Sequence, residues 1–414
     1  MTLATEGANV RKKTERKLAV GAVAVVAAVP TALVLVPWDG SGGKQPAAGT
    51  APLGVQADFS SAPKPVKQTP LAPAPAQDRT SKLPDIQPTT AAPSPTQVPT
   101  SPPPGNGGGT GLKGWAASSD GAVVTAAKWS GKYQVDLSVK SPALGATRTV
   151  RVLVPPGWKA KSKLTYPTLY ALHGGNDTYV SWTRSTDIAT VARQWNTIVV
   201  MPEGANGSYT DWYNGGRGGT PRWETFHTGE VRELVERNLH AGTTRAIIGI
   251  SSGAQGAVTY AARHPGMFKY AASYSGVLSM LSPGIPALLM YINMRPGTNP
   301  MDIWGDPWSA RANWAAHDPA TLVKKLRGTK LFVSSGNGSQ GPFDKPGKQP
   351  WDISYLSESQ VLRASGDFVT AAKKAGVPVT TDFYGPGSHN WAYWKVEMHK
   401  TWPEVMASIG AKKL

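Results

Sequence analysis

The 414-residue chain has no cysteine, which excludes disulfides, thiolate metal sites and a cysteine nucleophile, and says little about compartment. Acidic residues are scarce: 26 Asp and Glu stand against 43 Lys and Arg, a formal net charge of +17. Such an excess points first to nucleic acid. No basic helix or arginine-rich run occurs beyond the N-terminus, however, and no nucleic-acid partner is expected. Adhesion to anionic wall polymers or lipid head groups accounts for the charge as well.

One uncharged run stands out, LAVGAVAVVAAVPTALVLVP, from Leu18 to Pro37. As a helix rising about 1.5 Å per residue it matches a hydrocarbon core of roughly 30 Å. The basic segment 1–17 holds RKKTERK just before it, which orients the N-terminus inward and everything that follows outward. No small-x-small cleavage site follows at once, so an uncleaved signal anchor is expected, with a cleaved signal and a secreted product as the alternative. Residues 38–112 then change to Pro, Ala, Thr, Ser and Gly, a composition that buries no core and reads as a disordered stalk.

The folded domain is expected over 113–414. AVVTAAKWS, KYQVDLSVKS and TRTVRVLVPPGW alternate as an antiparallel entry. Strands and helices alternate afterwards: TLYALHGG, the helix STDIATVARQWN, TIVVMPEG, the helix WETFHTGEVRELVERNLH, and RAIIGIS followed by AQGAVTYAARHP. KYAASYSG, TKLFVSSGNG, a helix from Glu358 to Ala375 and the strand VPVTTDFYG complete the series. The class is α/β, a doubly wound, mostly parallel sheet.

Reactive groups of such sheets collect where the strands end. GISSGAQG places Ser251 in a Gly-x-Ser-x-Gly turn between strand and helix, the nucleophile-elbow pattern of an α/β-hydrolase fold. YALHGGND ends another strand, and DFYGPGSHNWAYW delivers His389 after the last one. The order Ser, acid, His puts the acid between 251 and 389. At about 100° per residue, Val361, Leu362, Ser365, Phe368, Val369 and Ala372 share the helix face of Glu358, whereas Asp367 points away. Glu358 is therefore the expected acid, with Asp344 and Asp352 as loop-borne rivals. A carboxylate on an apolar stripe needs a partner such as an imidazolium.

From Tyr166 onward the chain resembles the trehalose mycolyltransferases, the antigen 85 complex within the esterase family. The resemblance is carried by SYTDWY, RWETF, GISSG, YSGVL, DIWGDPW with HDP, GNG and SHNWAYW. It implies Ser251 as nucleophile, Glu358 as acid and His389 as base, with the backbone N–H groups of Gly175 and Ser252 as the oxyanion hole. The family's Leu-Asp-Gly-Leu-Arg, whose Asp and Arg hold trehalose, reads LHGGN here. His173 and Asn176 stand at those two positions, and Trp391 follows the histidine. These three are the candidate substrate contacts. A long insertion from Leu278 to about His317, containing IPALLMYINM, is expected as a lid over an acyl chain or as a core helix, and Trp304, Trp308 and Trp314 suit either.

His317 and Asp318, with His173, match no helix-borne ligand pair, so neither metal nor cofactor is expected. The expected activity is acyl transfer between lipid or sugar esters through an acyl-serine. The alternatives are a carboxylesterase and a catalytically silent adhesion protein.

Overall fold

A computed structural model describes residues 111–349 and 352–414. The expected anchor and nearly all of the expected stalk lie outside the described residues. Among those described, no helix is long and apolar enough to cross a membrane.

The alternating segments β1 (Val123–Trp129), β2 (Gln134–Ser141) and β3 (Ala146–Leu153) pair antiparallel, and β3 pairs antiparallel with β5 (Ile198–Pro202). From β5 the sheet is parallel through β4 (Tyr166–Leu172), β6 (Ala241–Ile250), β7 (Tyr270–Tyr274), β8 (Lys330–Gly336) and β9 (Thr380–Gly385). The spatial order is β1-β2-β3-β5-β4-β6-β7-β8-β9. Every residue of β5 and β7 is buried, as strands covered by helices on both faces must be, whereas β2 alternates between buried and partly exposed positions. From β4 the chain winds one way to β5, and from β6 it winds the other way to β9. The ends of β4 and β6 therefore flank the crevice where such sheets bind ligands.

One face of the sheet packs on Val258, Ala261, Leu234, Val235, Phe368 and Ala372, borne by the helices Ser252–Arg263, Arg232–Leu239 and Ile353–Ala375. The other packs on Ile188, Trp394, Met398, Trp402 and Met406, mostly from the C-terminal helix Trp391–Ser408. Local details depart from the sequence reading. The helix expected over 185–196 is two short pieces, Ser181–Ser185 and Ile188–Ala192. Thr186 is extended between them, its hydroxyl donating to the Trp182 carbonyl and accepting from the Ile188 N–H, so side-chain bonds replace the helical ladder. The helix expected from Glu358 starts at Ile353, because Asp352 accepts the Ser354 N–H and caps it.

The insertion folds into the helices Ile285–Met294, Pro300–Trp304 and Arg311–Ala315. Ile285, Leu289, Ile303, Trp304 and Trp314 form a separate small core with Val361 and Ala364 of the long helix. Trp308 is 74% exposed and takes no part in it.

Candidate active site

β6 ends at Ile250, and the chain must reverse at once into the helix Ser252–Arg263. Ser251 takes φ 52°, ψ −122°, in the half of backbone space that a residue with a side chain seldom enters. The flanking glycines permit it. A Cβ on Gly249 would lie 2.1 Å from the Gly253 carbonyl oxygen, and one on Gly253 would lie 2.3 Å from that of His173. The Ser251 N–H donates to the Tyr274 carbonyl at 3.0 Å, tying the turn to the next strand.

His389 reaches this serine from the loop after β9. Its Nε2 is 2.8 Å from Ser251 Oγ, and its Nδ1 is 2.6 Å from Glu358 Oε2. A carboxylate beside Nδ1 keeps the ring proton there and leaves the Nε2 lone pair facing the hydroxyl. Glu358 is 0% exposed, and its second oxygen is satisfied as well: Oε1 accepts from Ser275 Oγ at 2.7 Å, Ser335 Oγ at 3.0 Å and the Gly336 N–H at 2.7 Å. Such an acceptor set makes a buried charge tolerable. The edge-on ring of Trp394, 4.9 Å from the imidazole, closes the site, and its indole N–H donates to Ser275.

The rival acids have other partners. Asp352 caps the long helix, and Asp344 braces the histidine loop by accepting from Ser388 Oγ, Asn390 Nδ2, Tyr393 Oη and the Gly341 N–H. Asp367 is exposed and accepts the Ser282 hydroxyl. The imidazole bonds to Glu358 and Ser251, and to none of these three.

Gly175 and Ser252 face each other across the turn: a Cβ on Gly175 would lie 3.7 Å from Ser252 Oγ. As the first residue of its helix, Ser252 has an N–H without an intrahelical acceptor. His173 is placed differently from a substrate contact. It is 1% exposed and outside the cavity lining, with Nε2 accepting the Gly204 N–H at 2.8 Å and Nδ1 set 2.7 Å from the Gly174 carbonyl. Its ring holds the loop from behind. Glu203 stands beside it; burial pushes that carboxyl up, but the nearness of the His173 ring and bonds from the Ala205 and Tyr179 N–H groups hold it below the ordinary value. Trp391 packs on Trp182 and Trp394 and is likewise outside the lining, because the helix it begins turns it toward the core. Asn176 does line the cavity, its N–H bonded to Asn206 Oδ1 at 2.8 Å.

That cavity has Gly175, Asn176, Ser251, Ser252 and His389 at one end. Val277, Leu288, Leu289, Ile292, Trp304 and Val361 supply an apolar wall, mostly from the insertion. His317 and Asp318 lie elsewhere; Asp318 caps the short helix Pro319–Leu322. Sequence reasoning missed the supports of Glu358. Ser275, Ser335 and Gly336 lie at the ends of β7 and β8, and that position was the available signal.

The sheet, the elbow and the hydrogen-bonded line of serine, histidine and glutamate define an α/β-hydrolase. The family model "Putative esterase" matches residues 141–405, and the chain belongs to the esterase family. Diacylglycerol acyltransferase/mycolyltransferase Ag85A of Mycobacterium tuberculosis (strain ATCC 25618 / H37Rv) is 33% identical over 294 residues, 66% of this chain and 81% of the relative. Ag85B of Mycolicibacterium smegmatis is 31% identical over 290 residues, 66% of this chain and 85% of the relative. The crystal structure of Mycobacterium tuberculosis MPT51 (FbpC1) matches with a TM-score of 0.56 at 23% identity, over 68% of this chain and 100% of that one. The protein is thus an antigen 85-like enzyme, an acyltransferase or esterase.

Proposed function

We propose that the enzyme transfers an acyl group from a lipid or sugar ester to a second hydroxyl through an ester on Ser251. The observation that carries this reading is the continuous line from Ser251 through His389 to a fully buried Glu358, at the mouth of an apolar-walled cavity. Ser251 Oγ attacks the donor carbonyl as its proton passes to Nε2 of His389. The N–H groups of Gly175 and Ser252 receive the oxyanion, each contributing about 3 kcal/mol to the transition state. The imidazolium, held by Glu358, then gives its proton to the departing alcohol as the old C–O bond breaks. An acceptor hydroxyl, deprotonated by the same Nε2, attacks the acyl-serine and restores the enzyme. Water in place of that hydroxyl gives the esterase reaction.

The wall formed by Val277, Leu288, Leu289, Ile292 and Val361 suits an alkyl chain, with the helix Ile285–Met294 serving as the lid. The acceptor side carries Asn176, an uncharged amide, rather than a charged sugar clamp. Incubation with a short acyl ester, with and without a sugar, is the direct test: the sugar should be acylated and a serine-directed phosphonate should label Ser251. Labelling that persists in Ser251→Ala, or moves to Ser252, overturns the assignment.

The uncharged run 18–37 behind RKKTERK supports a single-pass anchor, with residues 38–112 as a spacer and the catalytic domain outside the cell. The protein should then stay with membranes through high-salt and carbonate washing, since salt at 1 M shortens the Debye length to about 3 Å and releases a charge-held protein. A mature chain beginning within 38–112 would speak for a cleaved signal instead.

A further inference from the structure

The edge of the sheet opposite Ser251 carries a feature that acyl transfer does not use. Trp158, in the loop between β3 and β4, packs on His240 with ring centroids 6.2 Å apart and donates its indole N–H to the Leu239 carbonyl at 2.9 Å. Both residues lead into β6, so this is the edge where the parallel strands begin, whereas Gly174 and Ser251 lie where they end. Trp129, at the end of β1, lies 5.4 Å from Trp158 and is 40% exposed. The Trp contact joins the β1–β2 turn to the β3–β4 loop as one surface.

That surface is strongly basic. Lys128, Lys132, Lys159, Lys161 and Lys163 are all exposed, and residues 128–135 and 154–165 contain no Asp or Glu. A cleft beside the turn is lined by Lys132, Tyr133, Gln134, Arg193 and Thr197 among others. None of these five lysines, nor Arg193, is in an ion pair among the described residues. Elsewhere Arg151, Arg184, Arg232, Arg237, Arg245 and Arg263 each hold a carboxylate. Six unpaired cations on the end of β1, two loops and a neighbouring helix end repel one another, and an anionic polymer relieves that repulsion.

We propose that this edge binds an anionic glycan, a polymer of sugar rings bearing carboxylate or phosphate. The exposed Trp129 ring offers a flat apolar face to one sugar ring, the hydroxyl and amide groups of Ser130, Tyr133 and Gln134 in the cleft suit the hydroxyls of another ring of the polymer, and the lysines take the charge. A lipid surface fits less well, since Trp129 and Leu164 are the large apolar side chains that these loops expose. Docking here leaves the Ser251 cavity on the other edge open.

The test is retention of the full-length protein on polygalacturonate, phosphorylated dextran and plain dextran, with anionic phosphatidylglycerol vesicles and single-stranded DNA as further arms. The wild type should bind one charged glycan at least tenfold more tightly than plain dextran, and which one identifies the charged group. Trp129→Ala and the triple change Lys132→Gln, Lys161→Gln, Lys163→Gln should each weaken that binding at least fivefold while ester turnover stays within twofold. Equal retention of wild type and variants overturns the proposal, as does equal retention on charged and plain dextran. Loss in the variants confined to vesicles or DNA overturns it too, by reassigning the surface.

Discussion

The two halves of the site are held in different ways. The elbow is held by sterics: Ser251 sits at φ 52° because Gly249 and Gly253 leave space that no Cβ can share. The histidine side is held by polar bonds instead. Glu358 is fixed by Ser275, Ser335 and Gly336, and the loop around His389 by Asp344. A steric support tolerates almost no substitution, whereas a hydrogen-bonded one fails by degrees, according to how many bonds are lost. Mutations on each side should therefore show different signatures.

Removing the proposed nucleophile should give the largest effect. Ser251→Ala should lower ester turnover by about six orders of magnitude with the fold intact, measured as the residual steady-state rate of ester cleavage with circular dichroism as the check on folding. Glu358→Gln comes next, between about two and four orders at neutral pH, since it keeps shape and removes the charge that stabilises the imidazolium. A normal rate in that variant would remove Glu358 from the mechanism.

Gly253→Ala tests the steric half through stability rather than chemistry. The added methyl meets backbone carbonyls of His173 and Leu172 that cannot rotate away, so a loss of about 3 kcal/mol is expected from the thermal midpoint. Asp344→Asn tests the polar half. It keeps one acceptor oxygen and forfeits part of the brace on Ser388, Asn390 and Tyr393, so kcat should fall about tenfold with KM little changed. If Gly253→Ala is harmless while Asp344→Asn unfolds the protein, the contrast between the two supports is reversed.

Asp367→Asn is the smallest change. The residue is exposed and bonded to Ser282, away from the imidazole, so turnover should alter by less than about threefold. A larger loss would show that the Ser282 contact positions the insertion over the cavity.

Much of this arrangement was legible in the sequence because it rests on local pattern. Gly-x-Ser-x-Gly after an apolar run marks a turn whose constraints lie within five residues. The helical phase of Glu358 relative to Asp367 follows from nine intervening steps, and the structure buries the first and exposes the second. His173 and Trp391 show the opposite case. Position in a motif brought both forward as substrate contacts, yet packing turned them inward, one against Gly204 and the other against Trp182.

By itself, then, the sequence determined the α/β alternation, the tight turn at Ser251 and the helix face that Glu358 shares with Val361 and Phe368, because periodicity and backbone sterics act over a few residues. Only the tertiary structure decided that Ser275 and Ser335 cradle Glu358, that Asp344 braces the loop of His389, and that Leu288 and Ile292 line the same cavity as Ser251. Those bring together groups tens of residues apart in the chain. No local preference encodes them, and they exist only once the strands have set their order and the helices have packed across it.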